Sequence, residues 1–402
     1  MKAARRGGVS AASLGAGQHF LGVTSPSLGT NREIVGRSSR ENPVQKRVYR
    51  FAARVERYEL MAVAGELLPG EYVRYCMHSP APSGARLVYS PARKSAHIAG
   101  IKRCGSVWMC PNCSTLISER RRVEIAAAIA YVERNGGQIV LATHTLSHAL
   151  TNSLRASLDA LNGAYRTMQQ RRDFKALRMS YGLIRSIKAV EVNHGKNGFH
   201  PHQHTLYAVN AGIDIAALQR DLAAAWLPSV RRFGFSASAA HGVDVRGTFA
   251  DVEKYVSKLA RTWTAADELA KANTKTGRKE SLTPADLLRS YRDTGNLAHA
   301  ALFREYALTM KGTHQNRWSP GFKRLVGVDD RTDVDLAENW LDDDKWTYTL
   351  AALSLTDWTA VRWCGPSACA ELERAGDQCD RELVAEVVQR CRARYFAEGW
   401  GL

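Results

Sequence analysis

Between residues 118 and 263 the chain switches repeatedly between two spacings of hydrophobic positions. From Ser118 to Arg134, Val123, Ile125, Ala126, Ile129 and Val132 recur at helical intervals, and Asn135-Gly136-Gly137 ends the run. Gln138–Leu146 reads as a strand, and Asn152 to about Arg172 as a helix. Ser186–Val192 and Phe199–Val209 read as two more strands, and the His194–Gly198 segment between them has hairpin turn chemistry. Asp214 to about Arg232 is a helix with Leu218, Leu222, Ala225 and Trp226 on one side. His241–Arg246 is a short strand, and Asp251 to about Trp263 a further helix. This order predicts an α+β fold, a mostly antiparallel central sheet flanked by helices that pack on one face.

The flanks lack that rhythm. Residues 1–50 are rich in Gly, Ser and Arg and read as a flexible basic tail. Residues 51–125 hold four of the eight cysteines, residues 265–300 are polar enough to read as a linker or insertion, and the tryptophan-bearing remainder reads as mainly helical. The expected divisions are therefore 1–50, 51–125, 126–265 and 266–402.

Charge narrows the choice of partners. The 402 residues carry 56 Lys/Arg against 39 Asp/Glu, a formal charge of +17, of which the first fifty residues supply +7. The remaining excess belongs to the folded part, and nucleic acid is the partner such a surface attracts. The arginines Arg120, Arg121 and Arg122, and Arg171 and Arg172, lie in basic helical stretches suited to phosphate contact, although solvated faces look the same. No apolar run approaches the ~18 residues of a membrane span, and the basic N-terminus lacks a signal-peptide core. A cytoplasmic protein without membrane contact is expected, in which cysteines are free or bind metal.

Three motifs carry chemistry. Cys104, Cys110 and Cys113 end in Cys-Pro-x-Cys, a turn that lets two thiolates chelate one zinc. Cys76 is the candidate fourth ligand, with His78 or His97 as substitutes. In Phe199–Tyr207, His200, His202 and His204 project from one face of a strand, and adjacent members can chelate a divalent cation. A hairpin with Asn193 opposite His200 sets Glu191 opposite His202, which adds a carboxylate and favours Mn or Mg. Downstream, Asp251, Tyr255 and Lys258 share one helical face. A phenol has a pKa near ~10, and a neighbouring ammonium and a metal-bound phosphate favour its anion as a nucleophile.

The pairing of a histidine strand with a later tyrosine helix resembles the HUH endonucleases, and among them the single-tyrosine replication initiators of rolling-circle plasmids. Four segments carry the resemblance: Ala142–Leu146, Pro201–His204 within the histidine run, Lys254–Lys258, and Trp318–Leu325 followed by Asp333 and Asp335. The resemblance implies His202 and His204 as metal ligands with Glu191 a candidate third, Tyr255 as nucleophile, and Lys258 assisting at the phosphate or metal. It implies nicking of plasmid origin DNA through a 5′-phosphotyrosyl intermediate, which leaves a 3′-hydroxyl for a host polymerase working with a helicase. Asp251 stands one helical turn before Tyr255, where such initiators place an acid that activates water; Glu253 is the other candidate. A relaxase or transposase of the same superfamily, and a non-catalytic zinc-containing DNA-binding regulator, are the rival readings. A small-molecule metallohydrolase is disfavoured, because the chain lacks H-E-x-x-H and H-x-H-x-D-H patterns.

Overall fold

A computed structural model describes residues 43–247, 281–339 and 346–399. Its main sheet is built from β3 (Gly137–His144), β4 (Arg185–Gly195), β5 (Gly198–Asn210), β6 (Val243–Arg246) and β7 (Asn316–Trp318). Every neighbouring pair is antiparallel, in the order β6-β3-β5-β4-β7. The hairpin β4–β5 closes at Gly195 opposite Gly198, with Gly198 at φ 90°, a conformation that costs glycine little.

Helices cover both faces of this sheet, not one as expected. Helices α3 (Leu154–Gln170) and α5 (Ile215–Arg231) bury Leu161, Met168, Leu222 and Trp226 against Val140, Ala142 and Tyr207. On the other face α2 (Pro111–Arg134) sets Ile125, Ala128, Ile129 and Val132 on Leu141, Ile187, Leu206 and Ala208. The physical reason is the middle strand: from Gln203 to Val209 every residue of β5 is buried, so neither face is left to solvent there. A short helix, α4 (Arg172–Ser180), continues from α3 and buries Phe174 and Leu177.

A second sheet joins β1 (Ala85–Ser90), β2 (Ser95–Ala99) and β8 (Tyr348–Leu353) in the order β2-β1-β8. It is covered by helices from both ends of the chain: α1 (Pro43–Leu67), α10 (Leu355–Trp363), α11 (Pro366–Asp377) and α12 (Arg381–Ala397). Helix α1 begins inside the stretch expected to be tail, and residues 1–42 lie outside the description. The stretch read as a linker contains α6 (Pro284–Thr294), and α7 (Leu297–Met310) follows it. Their apolar side chains Leu287, Leu288, Phe303 and Met310 are buried, and Thr283 caps α6 with a capping box. Two short helices, α8 (Phe322–Val326) and α9 (Asp333–Glu338), complete the described elements.

One core runs from Tyr58 to Cys391, so residues 51–125 and 266–402 pack together although they were expected as separate segments. The Trp358 indole is fully buried and donates to the Met77 carbonyl at 2.9 Å, beside the first cysteine of the cluster. Arg54 of α1 reaches Glu373 at 3.1 Å and Asp377 at 2.7 Å, all with little exposure. Removing one partner of a buried pair strands the other charge, which costs about 3–5 kcal/mol. Arg54→Ala should therefore lower the urea midpoint by that equivalent, and Glu373→Gln in the same chain should recover part of it; an unchanged midpoint would show that the clamp contributes nothing.

His144 is fully buried between the rings of Tyr165 and Trp226, at 5.6 and 5.0 Å. Burial lowers its pKa to about 3 from the ordinary 6.5. The unfolded chain takes up a proton here that the folded chain refuses, so stability falls as pH drops below 6.5 towards 3, by up to about 1.4 kcal/mol per unit. Urea midpoints measured from pH 7 to 5 should fall more steeply for the wild type than for His144→Leu.

Candidate functional site

Two clusters of metal-ligating side chains stand out among the described residues: Cys76 with Cys104, Cys110 and Cys113, and Glu191 with His202 and His204. In each, the donor atoms lie within 4.8 Å of one another.

The cysteine cluster is assembled by turns. Cys76 ends the 3-10 turn Tyr72–Tyr75, Cys104 follows β2, Cys110 is the N-cap of α2, and Cys113 sits in its first turn. Pro111 opens that helix seven residues ahead of the expected start at Ser118, because the Cys110 side chain accepts the Cys113 amide. Sγ–Sγ distances are 3.5 Å for Cys76–Cys113, 3.6 Å for Cys104–Cys113 and 3.7 Å for Cys76–Cys110. A tetrahedral site with Zn–S of about 2.3 Å needs sulfurs about 3.8 Å apart, so the group fits zinc with little movement. Thiols of Cys104, Cys110 and Cys113 directed at Cys76 pull its pKa well below the ordinary value. Cys76 thus completes the group of four thiols. The substitutes His78 and His97 lie outside the group, and His97 bonds to Ser95 at 2.8 Å.

The histidine cluster is assembled by register. β4 pairs with β5 so that Asn193 faces His200, Glu191 faces His202 and Ala189 faces His204. Glu191 Oε2 lies 3.3 Å from His202 Nε2 and 3.1 Å from His204 Nε2. Glu191 Oε1 accepts from Asn193 Nδ2 at 3.2 Å. His202 Nδ1 donates to the His200 carbonyl at 3.2 Å, which leaves Nε2 with its lone pair towards the cluster. His204 Nδ1 contacts Thr143 Oγ1 at 3.0 Å across the β3–β5 pair, so Thr143 serves as the partner that fixes this ring. Its signal in the sequence was parity, since the residue opposite His204 must share its face. Two imidazoles and a carboxylate are a donor set that could hold a divalent cation.

His200 departs from the expected set. Its ring stacks on His148 at 4.5 Å with planes 19° apart, and it does not belong to the metal-ligating group. Behind the carboxylate lies Tyr306 of α7, where burial and the Glu191 charge push the phenol pKa up and keep it neutral.

Tyr255, Asp251, Glu253 and Lys258 lie outside the described residues. Arg120 is buried at 4 % exposure and reaches the Asn339 carbonyl. Arg121 pairs with Glu124 at 2.9 Å and Asp333 at 3.1 Å, and Arg122 with Glu119 at 2.8 Å. This triplet therefore works largely within the fold, joining α2 to α9. Arg171 pairs with Asp173, and Arg172 is exposed.

Comparison with known proteins follows the same region of the chain. Residues 97–213 match a family described as replication protein. That stretch takes in three of the four cysteines, β3, and the hairpin with Glu191, His202 and His204. The chain is also 25 % identical over 313 residues to "Protein rep" of Streptomyces lividans, covering 62 % of this chain and 69 % of that protein. A "Neomycin resistance protein" of Streptomyces cyanogenus is 28 % identical over 151 residues, covering 31 % of this chain and 35 % of that one. No solved structure gives a significant match. The family match and the first relative support a replication protein.

Metal analysis of the purified protein checks the cysteine cluster. One zinc per chain is expected, and Cys110→Ser should lose it together with much of the Tm, since structural zinc contributes directly to folding. Full retention of zinc by that variant would mean that the metal sits elsewhere.

Proposed function

We propose that the chain is the replication initiator of a rolling-circle plasmid, a divalent-cation-dependent single-strand DNA endonuclease and strand transferase with an HUH-type fold. The observation that carries this reading is the convergence of Glu191, His202 and His204 on one cation position beside a replication-protein match. The cation, Mn or Mg, would polarise the scissile phosphate. Tyr255 attacks it, giving a 5′-phosphotyrosyl ester and a free 3′-hydroxyl. Lys258 assists at the phosphate, and Asp251 or Glu253 activates the water that ends the cycle. His202 and His204 would hold the cation, Glu191 would supply the charge that hardens the site, and the contact of Thr143 Oγ1 with His204 Nδ1 orients that ring.

The cysteine cluster takes a structural zinc in this reading, and host helicase and polymerase extend the freed strand. No helix among the described residues is long and apolar enough to cross a membrane.

With Mn or Mg, the protein should nick supercoiled plasmid carrying its origin and remain on the 5′ end. Tyr255→Phe should abolish the covalent adduct while leaving DNA binding intact; an undiminished adduct would move the nucleophile elsewhere. Asp251→Ala should allow the first nick but impair release. Thr143→Val, which removes the partner of a metal-ligating histidine, should weaken cation affinity by roughly 10–100-fold, read from the Mn dependence of nicking.

A further inference from the structure

Between the edge strand β7 and the cysteine cluster lies a cleft of about 940 Å³ that the chemistry above does not use. One wall is the loop Gly105–Met109, slung between the zinc-type ligands Cys104 and Cys110. Gly105 has φ 62°, and a Cβ there would fall 2.4 Å from a Val334 methyl, so the loop sits too close to α9 for any side chain. The opposite wall is Asn316 to Gly321. Trp108 Nε1 donates to the Thr313 carbonyl at 2.9 Å and ties the two walls together.

The lining argues for a ligand that is aromatic and polar yet locally uncharged. Five Lys/Arg side chains face three carboxylates there, and most of the cations are spent. Lys323 is 2.9 Å from Asp330, Arg121 is 3.1 Å from Asp333, and Lys311 is 2.8 Å from Glu71. A trough for a phosphate backbone would keep such cations unneutralised. Instead the cleft offers the rings of Trp108, Trp318 and Tyr72. Both amide atoms of Asn316, and the Trp318 indole nitrogen, are buried with no hydrogen-bond partner among the described residues. An unpaired buried amide is costly, and a rotation of the Asn316 side chain into the cleft would give it the donor and acceptor that a nucleobase edge presents. Asn316 faces Ala189 and Ala189 faces His204, so the cleft begins two strands from the candidate cation.

We propose that this cleft is a nucleobase site, in which an unpaired base stacks on Trp318 and is read through the Asn316 amide. That the base belongs to the strand held at the cation rests on the nuclease reading; the base site itself does not.

The test uses the full-length zinc-loaded protein without added Mn or Mg, and fluorescein-labelled ten-residue oligo-dA, oligo-dC, oligo-dG and oligo-dT in anisotropy titrations. The wild type is expected to favour one base by roughly tenfold, and Asn316→Ala to level the four affinities. Trp318→Ala should weaken all four by roughly tenfold, and Trp318→Phe should restore most of that loss. Circular dichroism confirms folding, and if Trp318→Ala unfolds, Asn316→Ala decides alone. Equal wild-type affinity for the four oligonucleotides, or a base preference that survives Asn316→Ala, overturns the proposal. Nicking is scored separately: a base preference without any adduct removes the nuclease reading and leaves the cleft, and an adduct without base preference does the reverse.

Discussion

The pairing of β4 with β5 puts Glu191 opposite His202, and a slip of one residue would send that carboxylate to the face where α3 and α5 pack. Among the described residues, Glu191 is the acid grouped with the two imidazoles. The register is held from both faces at once. Ile187, Ala189 and Leu206 are committed to the layer under α2, while Tyr207 and Val209 are committed to the layer under α3 and α5. A slip would exchange these sets, so the packing energy of two cores guards the geometry of the Glu191–His202–His204 cluster. Small Ala189, lying between His204 and Asn316, keeps the two neighbouring strands from crowding the ring.

The cysteine cluster is joined to this arrangement by more than sequence order. Its ligands begin α2, and α2 is the helix that seals the histidine face lower down the sheet. Its loop supplies Trp108, whose ring meets Tyr306 edge-on at 6.4 Å, and Tyr306 in turn feels the charge of Glu191. The cysteine cluster at one end thus positions aromatic groups near the Glu191–His202–His204 cluster at the other.

What the sequence disclosed follows from how local each feature is. The alternation from β3 to β6 was legible because each element carries its own period, and the β4–β5 register because a tight hairpin fixes it. Cys76 was legible as the fourth member of the cysteine cluster, although 28 residues separate it from Cys104, because thiol chemistry narrows the choice. The sheet β2-β1-β8 was not legible, since β8 arrives from a segment with no signal of where it pairs. Helix α6 was not legible in the stretch read as a linker or insertion, because its polar face outweighs the two leucines it buries. His200 was grouped with the ligands by strand parity, and the stacking of His148, which comes from the loop after β3, is a tertiary contact that parity does not reveal. The arginine triplet reads in sequence as a phosphate-contacting run or a solvated face, and only the fold discloses the carboxylates paired with Arg121 and Arg122.

The clamp between Arg54 and Asp377 spans 323 residues of chain. At a ribosomal rate of about 5–20 residues per second, the helix that carries Arg54 leaves the tunnel roughly 16–65 s before its partner is made. Through that interval the apolar side of α1 and the outer edge of β1 have no cover of their own. These surfaces therefore find their partners only when translation has reached the last helices of the chain.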